Sequence, residues 1–165
     1  MKFPHLNSEG KVWMVDVTAK QPTIRSASAQ AKVLVSPTVM EALHDGRVPK
    51  GDVLAVARVA GISAAKRVPD LLPLAHTIGV HGAEVDLELA EDHVMIRTTV
   101  RTADRTGVEM EALTAASVAA LTVVDMVKGV DRSAAITDLV ITRKSGGRSG
   151  TWERPGFETD RAVQA

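Results

Sequence analysis

The chain has no cysteine, no tyrosine, and only two tryptophans and two phenylalanines in 165 residues. Without cysteine there are no disulfides, thiolate zinc sites or cysteine nucleophiles. With so few aromatic rings, single-stranded nucleic acid finds little on which to stack its bases. Net charge is missing as well, because 20 Lys plus Arg balance 20 Asp plus Glu. A molecule with no overall field is not drawn to nucleic acid or to an anionic membrane, so neither is expected as a partner, and an anionic ligand has to be gripped by a local group of cations. Residues 1–10 contain no apolar run of signal-peptide length, and the later apolar stretches are broken by charges, which points to a cytoplasmic protein.

What remains is a core of Ala, Val, Leu and Ile, and a length that allows one domain to bury about two thirds of its unfolded surface. Val12 to Val17 reads as a short strand, and residues 27–35 alternate apolar and polar as a half-buried strand does. Ser36 as N-cap, Pro37 at the first helical position and Gly46 beyond the end frame a helix of about ten residues. A second helix, rich in small residues, is predicted from Asp52 to Val68, with Pro69 blocking continuation. Two alternating segments, 84–89 and 94–101, read as strands of a hairpin turning at Ala90 to Asp92.

Thr106 and Glu109 have the spacing of a capping box that opens the longest helix, whose apolar stripe continues to about Val130. Ile136 to Arg143 reads as a last strand, followed by a basic, Gly-rich loop from Lys144 to Gly150. Residues 151–165 have no periodicity and are expected to form a disordered or loosely attached tail beyond a single domain at 1–150. The order of elements implies an α+β protein, with helices packed on one face of an antiparallel sheet.

Several local groups have the makings of a site. Lys50 sits just before a helix start, where free N–H groups already favour an anion, although a solvated loop lysine has the same pattern. His76 ends the apolar segment Leu72-Pro73-Leu74-Ala75-His76 and suits a ligand contact or proton transfer, or a buried structural role. Glu109 is accounted for by the capping box, whereas Glu111 has no such duty. Asp125 and Lys128 share a helix face, as an acid/base pair or as a surface ion pair. Lys144 to Gly150 offers cations and free backbone donors without Walker spacing. His76, His81 and His93 follow no recognised metal-ligand spacing, so a metal-dependent hydrolase ranks last among the readings and no metal site is expected.

Helix geometry constrains these candidates. Glu111 and Asp125 are 14 positions apart on one helix, and at about 1.5 Å per residue their backbones lie roughly 21 Å apart. If both act on one nucleotide-sized molecule, the site has to be shared between subunits.

Taken together, Met14-Val15-Asp16-Val17, Pro49-Lys50-Gly51-Asp52-Val53, Ala64-Ala65-Lys66-Arg67, Leu72-Pro73-Leu74-Ala75-His76, Thr106-Gly107-Val108-Glu109-Met110-Glu111-Ala112-Leu113-Thr114, Asp125-Met126-Val127-Lys128 and Lys144-Ser145-Gly146-Gly147 carry a resemblance. The chain resembles the cyclic pyranopterin monophosphate synthase family, also called MoaC. That resemblance implies a ferredoxin-like fold and a homohexamer, a trimer of dimers with sites at the dimer interfaces. It implies a lyase of molybdenum cofactor biosynthesis acting on 3',8-cyclo-7,8-dihydroguanosine 5'-triphosphate and releasing pyrophosphate. By the same resemblance Asp125 and Lys128 are catalytic, and Arg25, Lys50 and Lys144 join Lys128 in holding the triphosphate. His76 and Glu111 bind the purine-derived ring, with Leu74, Ala75, Glu109 and Met110 also at the substrate. No tightly bound cofactor is implied, and Mg²⁺ is expected to arrive with the triphosphate. Ala75 and Val127 stand where family members often have cysteine, and Thr77-Ile78 where Pro-Leu is common. The alternative is a non-catalytic paralogue that binds a guanine nucleotide or pterin as an oligomeric module.

Overall fold

Alternation of small apolar and polar side chains makes Thr23–Leu34 a twelve-residue strand, β1, with Ala27, Ala29, Ala31 and Val33 buried. The computed structural model describes Leu6 and residues 9–157. After β1 the Ser36 hydroxyl accepts the Val39 N–H and starts α1, Pro37–His44. Asp52 caps α2, Val53–Ala65, by accepting the Ala55 N–H at 3.0 Å. Pro69 falls in the first turn of a separate short helix, α3, Val68–Leu71, where its missing N–H costs nothing. The hairpin β2, Gly82–Leu89, and β3, His93–Asp104, follows as its alternation predicts. Then come α4, Glu109–Val127, β4, Ala135–Ser145, and β5, Trp152–Glu153.

The strands form one antiparallel sheet in the order β2-β3-β1-β4-β5. The chain leaves β1 through α1–α3 to reach the edge at β2, and leaves β3 through α4 to reach β4 on the far side of β1. This split β-α-β arrangement is the ferredoxin-like fold. The helices cover one face. The other carries charged side chains in cross-strand pairs, Arg97 with Glu88 and Arg101 with Glu84, as a solvated antiparallel face does.

Between sheet and helices the core is almost wholly Val, Ala and Ile. Ala112, Ala115, Ala116, Ala119 and Ala120 lie along the buried side of α4, so its backbone approaches the sheet closely. The buried Thr98 hydroxyl uses that approach to donate to the Ala112 carbonyl at 2.8 Å, pinning the first turn of α4 to β3. On the flank, α2 packs against α4 through Gly61, where an added Cβ would lie 2.9 Å from the Ala115 carbonyl oxygen. By length and composition α4 is apolar enough to cross a membrane. Here it is the central helix of the core.

Three expectations are corrected. Val12 to Val17 forms no strand; Val12 makes only an isolated bridge to Leu6, and the segment runs on as irregular chain. The capping box of Thr106 and Glu109 does not form, because α4 begins at Glu109 with Val108 at the N-cap and no side-chain cap. Nor is the start of the expected tail loose. β5 pairs with β4, and Arg154 donates from Nε to the Ile141 carbonyl at 2.7 Å while lying over the Trp152 ring. Residues 158–165 of that tail lie outside the described residues.

The close contact at Gly61 yields a test. A Gly61→Val side chain has no room between α2 and α4, so the variant is expected to lose about 1–3 kcal/mol of stability in urea unfolding, outweighing any gain in helix propensity.

Candidate active site

The first turn of α4 projects Glu109, Met110 and Glu111 toward a cleft of about 460 Å³. Its wall includes Leu74, Ala75 and His76, from the extended segment that follows α3. Val15, Val17 and Lys20 come from the irregular segment before β1, and Thr106 and Gly107 from the turn into α4. Six of the residues singled out from sequence therefore meet here: Leu74, Ala75, His76, Glu109, Met110 and Glu111. Lys20 and the valines were missed, since nothing in their local pattern shows that this segment folds back across the α4 terminus.

Each polar group in the cleft is held in a particular way. His76 donates from Nε2 to the Val15 carbonyl at 2.6 Å, which fixes its tautomer and ties the two walls together. Glu109 turns back over Gly107 so closely that a Cβ on Gly107 would overlap the carboxylate, and it pairs with Lys144 at 3.5 Å. Lys144 also donates to the Ser149 hydroxyl at 2.9 Å. Glu111 is only 4% exposed, and burial, with the charge of Glu109 adding to it, pushes its carboxyl above the ordinary glutamate range. Arg25 is not among the residues lining the cleft. Its guanidinium donates to the Asp104 and Arg105 carbonyls at 3.1 and 3.2 Å and packs under Gly147, bracing the turn into α4 against the Gly-rich loop.

The other end of α4 carries a second cluster. Lys50, just ahead of α2, donates to both the carboxylate and the carbonyl oxygen of Asp125 at 2.8 Å, while Lys128 binds the other carboxylate oxygen at 2.6 Å. Bonds from Lys128 and then Lys50 hold the Asp125 carboxyl down at about 2. All three side chains are about half exposed. An anionic ligand that drew the two ammonium groups to itself would release the carboxylate, raise its proton affinity and make it a base beside the ligand.

Within one chain the two clusters stay apart, at opposite ends of a nineteen-residue helix. Of the three histidines considered for metal, only His76 lines the cleft. The His81 ring accepts the Ala103 N–H, and His93 pairs with Asp92. Among the described residues no group of three His, Asp or Glu side chains is placed to hold a metal ion.

Residues 14–147 match the model of the MoaC family. The chain belongs to the MoaC family. A cyclic pyranopterin monophosphate synthase of Streptomyces coelicolor is 58% identical over 153 residues, covering 93% of this chain and 90% of its own length. The enzyme of the same name from Geobacter metallireducens is 50% identical over 156 residues, covering 93% and 98%. Another, from a Nocardioides species, is 56% identical over 157 residues, covering 93% and 96%.

Two titrations check these electrostatics. Because the folded Glu111 carboxyl binds its proton more tightly than the unfolded one, its ionisation costs stability as pH rises above the unfolded value. Glu111→Gln is therefore expected to raise Tm at pH 7, with the gain vanishing below the ordinary glutamate value of 4.5. In carboxyl-detected NMR, Lys50→Met is expected to move Asp125 from about 2 toward its ordinary 3.8, with Lys128 still holding part of the shift.

Proposed function

We propose that this MoaC-family chain is a cyclic pyranopterin monophosphate synthase. It is a lyase that converts (8S)-3',8-cyclo-7,8-dihydroguanosine 5'-triphosphate to cyclic pyranopterin monophosphate and pyrophosphate in molybdenum cofactor biosynthesis. The observation that carries this reading is the identity of 58% with a relative of that name across 93% of the chain, with Asp125, Lys128 and Lys50 kept together as one bonded group.

The chemistry suits the two clusters. Closing a cyclic phosphate requires a hydroxyl oxygen to displace pyrophosphate at the α-phosphorus, so a base has to take the hydroxyl proton and cations have to stabilise the leaving group. Asp125 is the base, and Lys128 and Lys50 are the cations that let go of it when phosphate arrives. Lys144, at the other cluster, adds a further charge toward the phosphates, and so does Arg25, which also braces the turn into α4. Mg²⁺, where present, accompanies the triphosphate and is not a resident of the protein. His76, Glu109 and Glu111, with Leu74, Ala75 and Met110, form the cradle of the purine-derived ring. The reading takes the site to be cytoplasmic, where nucleoside triphosphates are made.

One substrate reaches both clusters if two copies pair about a two-fold axis that sets the Glu111 end of one α4 against the Asp125 end of the other. The outer surface of the helical layer supports such pairing, since Leu121 on α4 is 58% exposed and Val59 on α2 is 67% exposed. Three such dimers make the proposed hexamer.

Incubation with the cyclised triphosphate, followed by pyrophosphate release, tests the lyase, and binding without turnover would sink it. Asp125→Asn is expected to slow release at least about 100-fold while the oligomer persists. Mixing Asp125→Asn with Glu111→Gln and allowing subunits to exchange tests the shared site. About one quarter of the wild-type rate should return, because half of the randomly formed dimers are mixed and each regains one intact site. No recovery would place both groups in one chain's site.

A further inference from the structure

Lys20 lines the cleft, is half-buried, and makes no side-chain hydrogen bond or ion pair among the described residues. Its backbone is nonetheless firmly placed. The Lys20 N–H donates to the Val17 carbonyl at 3.0 Å, and its own carbonyl accepts from Arg105 Nε at 2.9 Å. A long side chain anchored at its base and left without a partner in a cleft is held ready for a ligand.

The other polar groups of the cleft indicate which ligand atom is left for it. A guanine-type ring edge carries two kinds of donor, a ring N–H and an amino group, and one acceptor, a carbonyl oxygen. Glu109 and Glu111 supply acceptors for the donors. The carbonyl needs a donor, and two of the candidates are already engaged. His76 Nε2 is bound to Val15, and Lys144, paired with Glu109 and Ser149, is not among the residues lining the cleft. Lys20 is the charged donor that remains, with the neutral Thr106 hydroxyl and the uncapped N–H groups at the start of α4 as its competitors.

We propose that Lys20 donates to the carbonyl oxygen on the guanine edge of the substrate and so makes the site select an oxo over an amino group at that position. An ammonium opposite an amino group sets donor against donor, which rejects an adenine-type ring as well as accepting a guanine-type one. This inference rests on the proposed function for the substrate's identity, but its test does not require turnover.

Calorimetric titration of the wild-type chain, Lys20→Met, Lys20→Arg and Thr106→Val with GTP, ITP, ATP and inorganic triphosphate separates the alternatives. ITP keeps the carbonyl and lacks the amino group. Lys20→Met is expected to weaken GTP and ITP on the order of ten- to a hundredfold, leaving ATP and inorganic triphosphate unchanged, with partial recovery in Lys20→Arg. The KM for the cyclised triphosphate should rise by a similar factor. Equal weakening of all four ligands would make Lys20 a phosphate contact and overturn the proposal. So would unchanged GTP affinity in Lys20→Met, or loss of the GTP over ATP preference in Thr106→Val alone. An unaltered melting curve for Lys20→Met excludes unfolding as the cause. A wild-type chain that prefers GTP through Lys20 yet never releases pyrophosphate would overturn the lyase and leave the role of Lys20 standing.

Discussion

The close seating of α4 on the sheet is the constraint from which the rest follows. It depends on alanines at Ala112, Ala115, Ala116, Ala119 and Ala120, which let the helix backbone come near enough for the Thr98 hydroxyl to reach the Ala112 carbonyl. That bond satisfies a polar group in a core that otherwise contains few, and it sets the height and rotation of the first turn next to Glu111. Because α2 is packed against the same helix through Gly61, the position of Lys50 ahead of α2 is tied to the position of Asp125 near the end of α4. One rigid helix thus carries both clusters and fixes the distance between them.

Charge is distributed by the same logic. The chain is neutral overall, yet its cations at the α4 ends are held on carboxylates, Lys50 and Lys128 on Asp125 and Lys144 on Glu109. Such pairs keep the side chains ordered without committing them, since exposed ion pairs contribute little to stability and are readily exchanged for a polyanionic ligand. Glu111 is the opposite case, a carboxyl group whose burial disfavours its charge. Lys20 complements it as a donor without a partner among the described residues.

Most of the architecture was legible as pattern. Alternation over residues 84–89 and 94–101 identified β2 and β3, the Ser36-Pro37 pair identified the start of α1, and the run of small residues marked α2 as a close-packing helix. These are local signals, set by the two-residue repeat of a strand, the turn of a helix and the need to cap its first N–H groups. Where local chemistry failed, a distant partner had prevailed. Glu109 left the capping box because Lys144, brought alongside by β4, competes for its carboxylate and Gly107 leaves room for it to turn. Beyond its bridge to Leu6, the Val12 to Val17 segment pairs with no strand among the described residues, and its Val15 carbonyl is instead taken by His76. Residues 151–157 lack periodicity, yet Arg154 fastens them to β4 through backbone carbonyls that no sequence pattern reveals.

The order of apolar and polar residues was enough to establish an α+β chain, its main helices and strands, and the separation of Glu111 from Asp125 along one helix, while particular motifs such as Thr106 to Thr114 carried the family resemblance. That separation is a property of helical rise and needs no tertiary knowledge. Which side chains face one another across long stretches of chain was decided in three dimensions. The convergence of the 15–20 segment, the 74–76 segment and the start of α4 on one cleft, the pinning of Asp125 between Lys50 and Lys128, and the unpartnered ammonium of Lys20 all arise from packing. Contacts of that kind depend on how helices and strands are stacked and on which donors remain after each fold-wide partner has been satisfied. The spacing of residues along the chain holds no record of either.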